Sequence, residues 1–490
     1  MVQTLSKVAL AVCAASLLAS WASAAGASEP VEAAPAPARE GLTLSSAMRE
    51  AAERNYSILL EELDRDAAVE AAGQARAPYT PVLVIDADAF DRAAIGSLPD
   101  RGGLDLEAQV RWGTPWGSAI SAGGRASAPL GGALSPHGAS LFVTAAQSLL
   151  RGGWRAGAWA PALEADLGAE IQRQRFRDGL NALLVDVEEA YWELAFAQAD
   201  LEGRRRSLKR AEAQFDDTRQ NIARGLLAEA DVHIVEENVV IFQEQVVRST
   251  EALTLARARL LRLLQREPGE ALLAVDDLDG AALSLPGADE AAAAALAQNP
   301  ALEASRLSAE QAQVRLLFDE NQALPLLDLD ASLILNGAGE GLADALASAA
   351  SAEGPEVRVG LRFEVPLLDG ATDAGLARSR IERRRALIAL KDDEARLRFE
   401  VQELLVRLEA QAERVALGQR RVELASLKLE AQVDRYKSGI STLDEVVRFQ
   451  RDLDGALIAA RRVRVEWLVT RSRLARAQGT LHRDHGVEVR

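Results

Sequence analysis

One cysteine in 490 residues, Cys13, leaves no material for a disulfide framework or a thiolate metal site. The four histidines are equally unpromising. His137 lies in a Pro/Gly-rich stretch and His233 has no nucleophile partner. His482 and His485 lack a neighbouring carboxylate cluster at ligand spacing and read as part of a solvated tail. No catalytic constellation, cofactor motif or metal set emerges, so the chain reads as a non-enzyme. Aromatics are only 4% of the residues while alanine abounds, which favours close-packed helices over large aromatic cores. A net charge of -17 argues against nucleic-acid binding, which needs a basic footprint. Beyond the first 25 residues no apolar run approaches the ~20 residues of a membrane helix. A chain of this kind that crosses a membrane must do so as a β-barrel.

The first residues read as an address. Lys7 supplies a positive start, Val8 to Leu18 an apolar run, and Ala22-Ser23-Ala24 a small-residue cleavage site, together a secretory signal peptide over 1–24. Val12, not a small residue, precedes Cys13, which disfavours a lipoprotein. Residues 25–41, with Pro30, Pro35 and Pro37 among alanines, read as a flexible lead-in.

From residue 42 onward the chain repeats itself. Asn55 and Pro81 recur as Asn299 and Pro325, each 244 positions on. "SLLRGG" at 148–153 recurs as "PLLDGA" at 366–371, offset 218. Gly225 recurs as Gly439, offset 214, which then holds to "RARL" and "RSRL". The halves are 42–280 and 281–482, followed by a tail at 483–490. Because 244 exceeds 218 by 26, the first half carries 26 extra residues, and Leu104 to Ala128 around "WGTPWG" reads as an additional hairpin filling most of them.

Each half holds one very long helix. Leu180, Val187, Leu194, Leu201, Leu208, Phe215 and Ile222 recur in sevens, and so do Val401, Leu408, Val415, Val422, Leu429 and Tyr436. Such a repeat predicts left-handed supercoiled packing of helices on the order of 90 Å long. Shorter helices are expected near 43–76, 228–266, 289–322 and 441–482. Each pair, end to end, would match one long rod. Alternating segments Val82 to Phe90, Ser140 to Ala146, Leu326 to Leu335 and Val357 to Val365 predict strands of membrane-barrel length. The glycines of "LILNGAGEGLADAL" read as a loop between two strands, since G-x-G-x-G without a βαβ unit is no dinucleotide site. The fold class is mainly α with a β-barrel part, in two internal repeats. Four strands per chain, or six with the extra hairpin, fall short of the ~8 that a membrane barrel needs, so several copies must share one; three copies of four give twelve.

These features resemble the outer membrane efflux protein (TolC) family. "LTLSSAMREAAERN", "ARAPYTPVLVIDAD", "QSLLRGG", "VEEAYWELAFAQADL", "RGLLAEADV", "YKSGISTLDEVVRFQRDL" and "RLARAQGTL" carry the resemblance from Leu42 to about Leu481. It implies a homotrimer with a shared barrel in outer-membrane lipid and a helical tunnel in the periplasm. It further implies a periplasmic adaptor and an inner-membrane transporter as partners. The glycine turns Gly225-Leu226 and Gly439-Ile440 end the long helices, and on this resemblance form the entrance and adaptor contact. It suggests a hydrogen bond between Asp231 and Tyr436 across neighbouring hairpins. Glu445 aligns with an acidic position lining the family's constriction, while Arg448 stands where a second acid is common. The competing reading is a secreted structural or adaptor-like coiled coil without a pore.

Overall fold

The computed structural model describes residues 41–92, 101–130, 137–225, 228–278, 286–352, 354–367 and 370–487. The expected signal peptide, most of the lead-in and Leu226 lie outside them.

Each half opens with two helices in line. In the first these are α1 (Leu44–Arg54) and α2 (Tyr56–Ala75), and the capping side chain between them is Asn55. The expected single helix at 43–76 is thus two, because an asparagine in extended conformation ends one helix and caps the next. Pro78 and Pro81 then stop helical growth, and the chain enters the sheet. Its strands are β2 (Val82–Arg92), β3 (Arg101–Gly113), β4 (Ser118–Leu130) and β5 (His137–Ser148); a short β1 (Gly41–Leu42) precedes α1. Gly41, placed in the lead-in by sequence, pairs with Leu273 in β6 (Leu273–Ala274). A π-turn, Arg155–Trp159, leads into α3 (Ala160–Ala223), of 64 residues, and α4 (Asp231–Leu263) returns along it. The second half repeats the plan with α5 (Ala288–Gln298), α6 (Pro300–Gln322), β7 (Leu326–Gly339), α7 (Leu342–Ala350), β8 (Pro355–Glu364), α8 (Gly370–Lys437) and α9 (Leu443–Ala477).

At 1.5 Å per residue, α3 and the 68-residue α8 reach about 95 and about 100 Å. The broken rods lie along them: α2, α4 and α6 pack on α3, and α5, α6 and α9 pack on α8. The seven-residue stripes face these contacts. Leu180, Val187, Leu194 and Leu201 are buried in α3, and Val401, Leu408 and Val415 in α8. Towards the far end of both helices the stripe is only half-buried.

The duplication extends to single hydrogen bonds. Asn55 Nδ2 donates to the Leu263 carbonyl at 2.9 Å, and Asn299 Nδ2 to the Ala477 carbonyl at 2.9 Å. Each asparagine also accepts from the first turn of the helix it caps, at Ser57 and Leu302. One side chain therefore starts the second rod of its half and satisfies the end of the last one. Near mid-height, buried Tyr191 of α3 donates to Asp276 Oδ2 (2.7 Å) and accepts from the Val275 and Asp276 N–H groups, clamping the short β1–β6 pair against the rod.

Two further expectations are corrected. The glycines of 337–341 are not a loop. Gly337 and Gly339 belong to β7, and α7 packs directly on them; a Cβ at Gly337 would stand 2.2 Å from the Ala345 carbonyl oxygen. The C-terminal segment is not a solvated tail either. Leu481, His482 and Val487 are buried, and His482 lies against Asn181 of α3.

Candidate functional site

The chain offers two surfaces suited to a conduit, at opposite ends of the rods. The first is the sheet. Its order is β2-β3-β4-β5-β7-β8, every neighbouring pair antiparallel. Alternation separates its faces. One carries Leu83, Ile85, Leu104, Leu106, Val110, Val143, Leu333, Val357, Val359, Leu361 and Phe363, all exposed. The other carries Asp86, Asp88, Asp105, Glu107, Arg125, Asp330, Arg358 and Arg362. Apart from the stretch around Ala139, Leu141 and Gly337 that α7 covers, this apolar face is exposed opposite a charged one, the inverse of a soluble sheet, and it suits a wall between lipid and water. Aromatics gather where the sheet meets the rods. The Trp112 ring N–H donates to the Tyr79 carbonyl (3.0 Å) and that of Trp154 to the Leu149 carbonyl (3.0 Å). The Trp154 backbone N–H reaches the Trp116 carbonyl, and Tyr79 contacts Trp159 ring to ring at 4.9 Å. Such amphipathic rings mark a membrane–water interface. Sequence reading did not single them out, although "WGTPWG" and "RGGW" carry three of these tryptophans.

The second surface is the far end, where α3 turns into α4 and α8 into α9. Gly225 and Gly439 both adopt φ +72, a left-handed conformation that favours glycine. Gly439 N–H donates to the Tyr436 carbonyl (2.9 Å) and Ile440 N–H to the Arg435 carbonyl (2.9 Å), a Schellman stop. Ile440 is 78% exposed, an apolar side chain set at the very tip. Thr442 then caps α9 in a capping box with Glu445.

The sequence-predicted residues that are described thus lie at one end, with different surroundings. The carboxylate of Glu445 accepts from Ser441 Oγ (2.8 Å), Gln432 Nε2 (2.9 Å) and the Thr442 N–H (3.4 Å). The Ser441 hydroxyl first, then the Thr442 N–H, hold it below the usual glutamate range. Arg448 is exposed, with its guanidinium 5.4 Å from the Phe449 ring centre; among the described residues it forms no ion pair with Glu445 within 4 Å. Tyr436 is half-buried. Asp231 opens α4, and its side chain is not among those described. Gln432, Ser441 and Thr442 are tip residues that sequence reading missed, although the T-x-x-E signature of a capping box stands at 442–445.

A sheet with a lipid-like outer face, set on two continuous and two broken helical rods of about 100 Å, defines the fold of an outer-membrane channel protomer. No protein-family profile and no curated protein matches this sequence. Solved structures do. The chain is similar to the outer membrane protein VceC of Vibrio cholerae, with TM-score 0.65 and 16% identity over 89% of this chain and 96% of that one. It is similar to the MtrE outer membrane channel of Neisseria gonorrhoeae, with TM-score 0.66 and 16% identity over 91% of both. It also resembles the CmeC outer membrane channel of Campylobacter jejuni, with TM-score 0.64 and 12% identity over 89% and 86%. The chain has the TolC-family fold.

Proposed function

We propose that this chain is the outer-membrane channel component of a tripartite efflux or type I secretion system. Three copies share one barrel in the outer membrane. Their rods form a tunnel through the periplasm towards an adaptor and an inner-membrane transporter. The observation that carries this reading is the sheet, whose two edges, β2 and β8, have no strand partner among the described residues while its outer face is apolar. An open edge is not tolerated in lipid, so the edges must meet those of other copies. At the other end Gly225, Leu226, Asp231, Tyr436, Gly439, Ile440, Glu445 and Arg448 form the periplasmic entrance and the adaptor contact. Because its carboxylate is engaged by Ser441, Thr442 and, from α8, Gln432, Glu445 offers the lumen less free charge than an unpaired acid would. The test is native mass measurement with planar-bilayer recording on the purified protein. Three chains and discrete ion conductance are expected. A monomer recovered from the soluble periplasmic fraction, without conductance, would instead support a pore-less coiled-coil protein.

A further inference from the structure

We propose that the hairpin β3–β4 is part of the membrane wall, so that the assembled barrel has eighteen strands rather than the twelve that four strands per chain would give. The number eighteen rests on the three copies of the proposed function; the placement of the hairpin rests on the pairing and side-chain sorting of the sheet itself.

The hairpin is not appended to the sheet but inserted in it. β2 pairs with β3 over eleven consecutive residues, from Val82↔Arg111 to Arg92↔Arg101. β3 pairs with β4 from Gly102↔Leu130 to Gly113↔Ala119, and β4 with β5 from Ser118↔Gln147 to Ser127↔Gly138. β2 and β5 therefore do not touch, and the sheet cannot lose the hairpin without re-pairing. Its closed end is built in as well. Pro115 and Gly117, at φ +83, make the turn. The Ser148 N–H donates to the Gly117 carbonyl (3.1 Å), and the Trp154 N–H to the Trp116 carbonyl (2.9 Å). That turn sits at the aromatic level where the sheet meets the rods.

The side chains divide as a membrane wall requires. On the outer face the hairpin places Leu104, Leu106, Ala108, Val110 and Trp112, then Ile120, Ala122, Gly124, Ala126 and Ala128. None of these ten is charged. The inner face holds Asp105, Glu107, Arg111 and Arg125, with Arg125 and Glu107 paired at 2.6 Å. A basic residue facing the lipid midplane would be strongly destabilising, whereas a hairpin in water would gain nothing from this sorting. Beyond the stretch around Ala139 that α7 covers, the occupant of the outer face is therefore lipid acyl chains. Leu104 to Trp112 spans about 20 Å along the membrane normal at a usual strand tilt, near the ~25 Å apolar band of such barrels.

Six is also an even number. β2 and β8 run in opposite directions, so β8 of one copy meets β2 of the next antiparallel, as closure demands. With strands 4.8 Å apart and tilted ~40°, eighteen strands enclose a backbone diameter of about 36 Å, against about 24 Å for twelve. A barrel of that width holds a water-filled lumen, which leaves the tip as the narrow part of the conduit.

Spin labels at introduced cysteines, in a Cys13→Ser background reconstituted in phospholipid vesicles, test the placement. Labels at Leu106 and Ala122 are expected to collide readily with oxygen and poorly with a water-soluble nickel chelate, as a label at Val359 of β8 should. Nickel access at Leu106 and Ala122, with Val359 shielded, would overturn the proposal. Electron cryomicroscopy of the unlabelled protein counts strands directly: eighteen are expected, and twelve with a projecting hairpin would overturn it. Native mass on the same samples separates the two readings. A copy number other than three overturns the assembly and the count of eighteen, while the labels still report where the hairpin lies.

Discussion

Asn55 and Asn299 show how far single residues carry this architecture. Each caps one helix and satisfies the last carbonyls of another more than 170 residues away. Asn55→Ala removes a cap and strands a carbonyl, at a combined cost of about 2 kcal/mol. Hydrogen exchange should show faster opening of the last turn of α4, with Asn299→Ala doing the same to α9. His482 gives a pH signature. Burial first, then Arg483 and Arg177, push its imidazole below the ordinary value. The fold thus favours neutral His482. That contribution is complete above the ordinary imidazole value of about 6.5 and is lost as pH falls through the lower folded one. The thermal midpoint should therefore drop on acidification from pH 7 to 5, and His482→Gln should flatten the drop. At the tip, Tyr436→Phe is expected to raise basal conductance if the hydroxyl holds neighbouring hairpins closed; unchanged conductance counts against that bond. Arg448→Asp should shift the reversal potential in a salt gradient towards cations, whereas no shift would place Arg448 outside the lumen.

At the scale of elements, α8 carries a second stripe that nothing among the described residues covers. Ile381, Ile388, Phe399, Val406, Leu417 and Leu424 are all exposed, Phe399 by 72%. Their steps of 7 and 11 residues sum to 18, five turns of a straight helix, so the stripe stays on one side along most of the rod. α4 leaves Val240 and Val247 exposed as well. α4 packs mainly on α3 and α8 mainly on α9, so these are uncovered faces on two separate rods, and both suit packing against the next copy. Phe399→Glu with Val406→Glu buries two charges in that contact and should convert the assembly to smaller species by native mass, while circular dichroism keeps its helical signal. Retention of the full assembly would mean that this face meets solvent. The heptads that pack within the chain were legible because their period is strict. The breaks at Asn55 and Asn299 were not, because one asparagine inside a long apolar pattern is a weak stop until its partner carbonyl is known.

In the assembly proposed above, the wide barrel and the tight tip divide the work of the whole molecule. Conductance should respond to substitutions at the tip and hardly at all to Asp105→Asn or Arg125→Gln in the barrel lumen; a comparable response to both would place the narrowest part in the barrel. Local pattern by itself determined the two halves, the long rods, the alternating strands and the glycine turns at Gly225 and Gly439. Each follows from periodicity or from a backbone conformation that one residue type favours. Pairing decided the rest. That the extra hairpin stands between β2 and β5, that Glu445 is held by Gln432 and Ser441, and that α7 lies on Gly337 and Gly339 all depend on which segments meet in space. A strand's alternation shows that it has two faces, but its partners depend on contacts between residues far apart in the chain. Those contacts leave no local period, so only the tertiary structure reveals them.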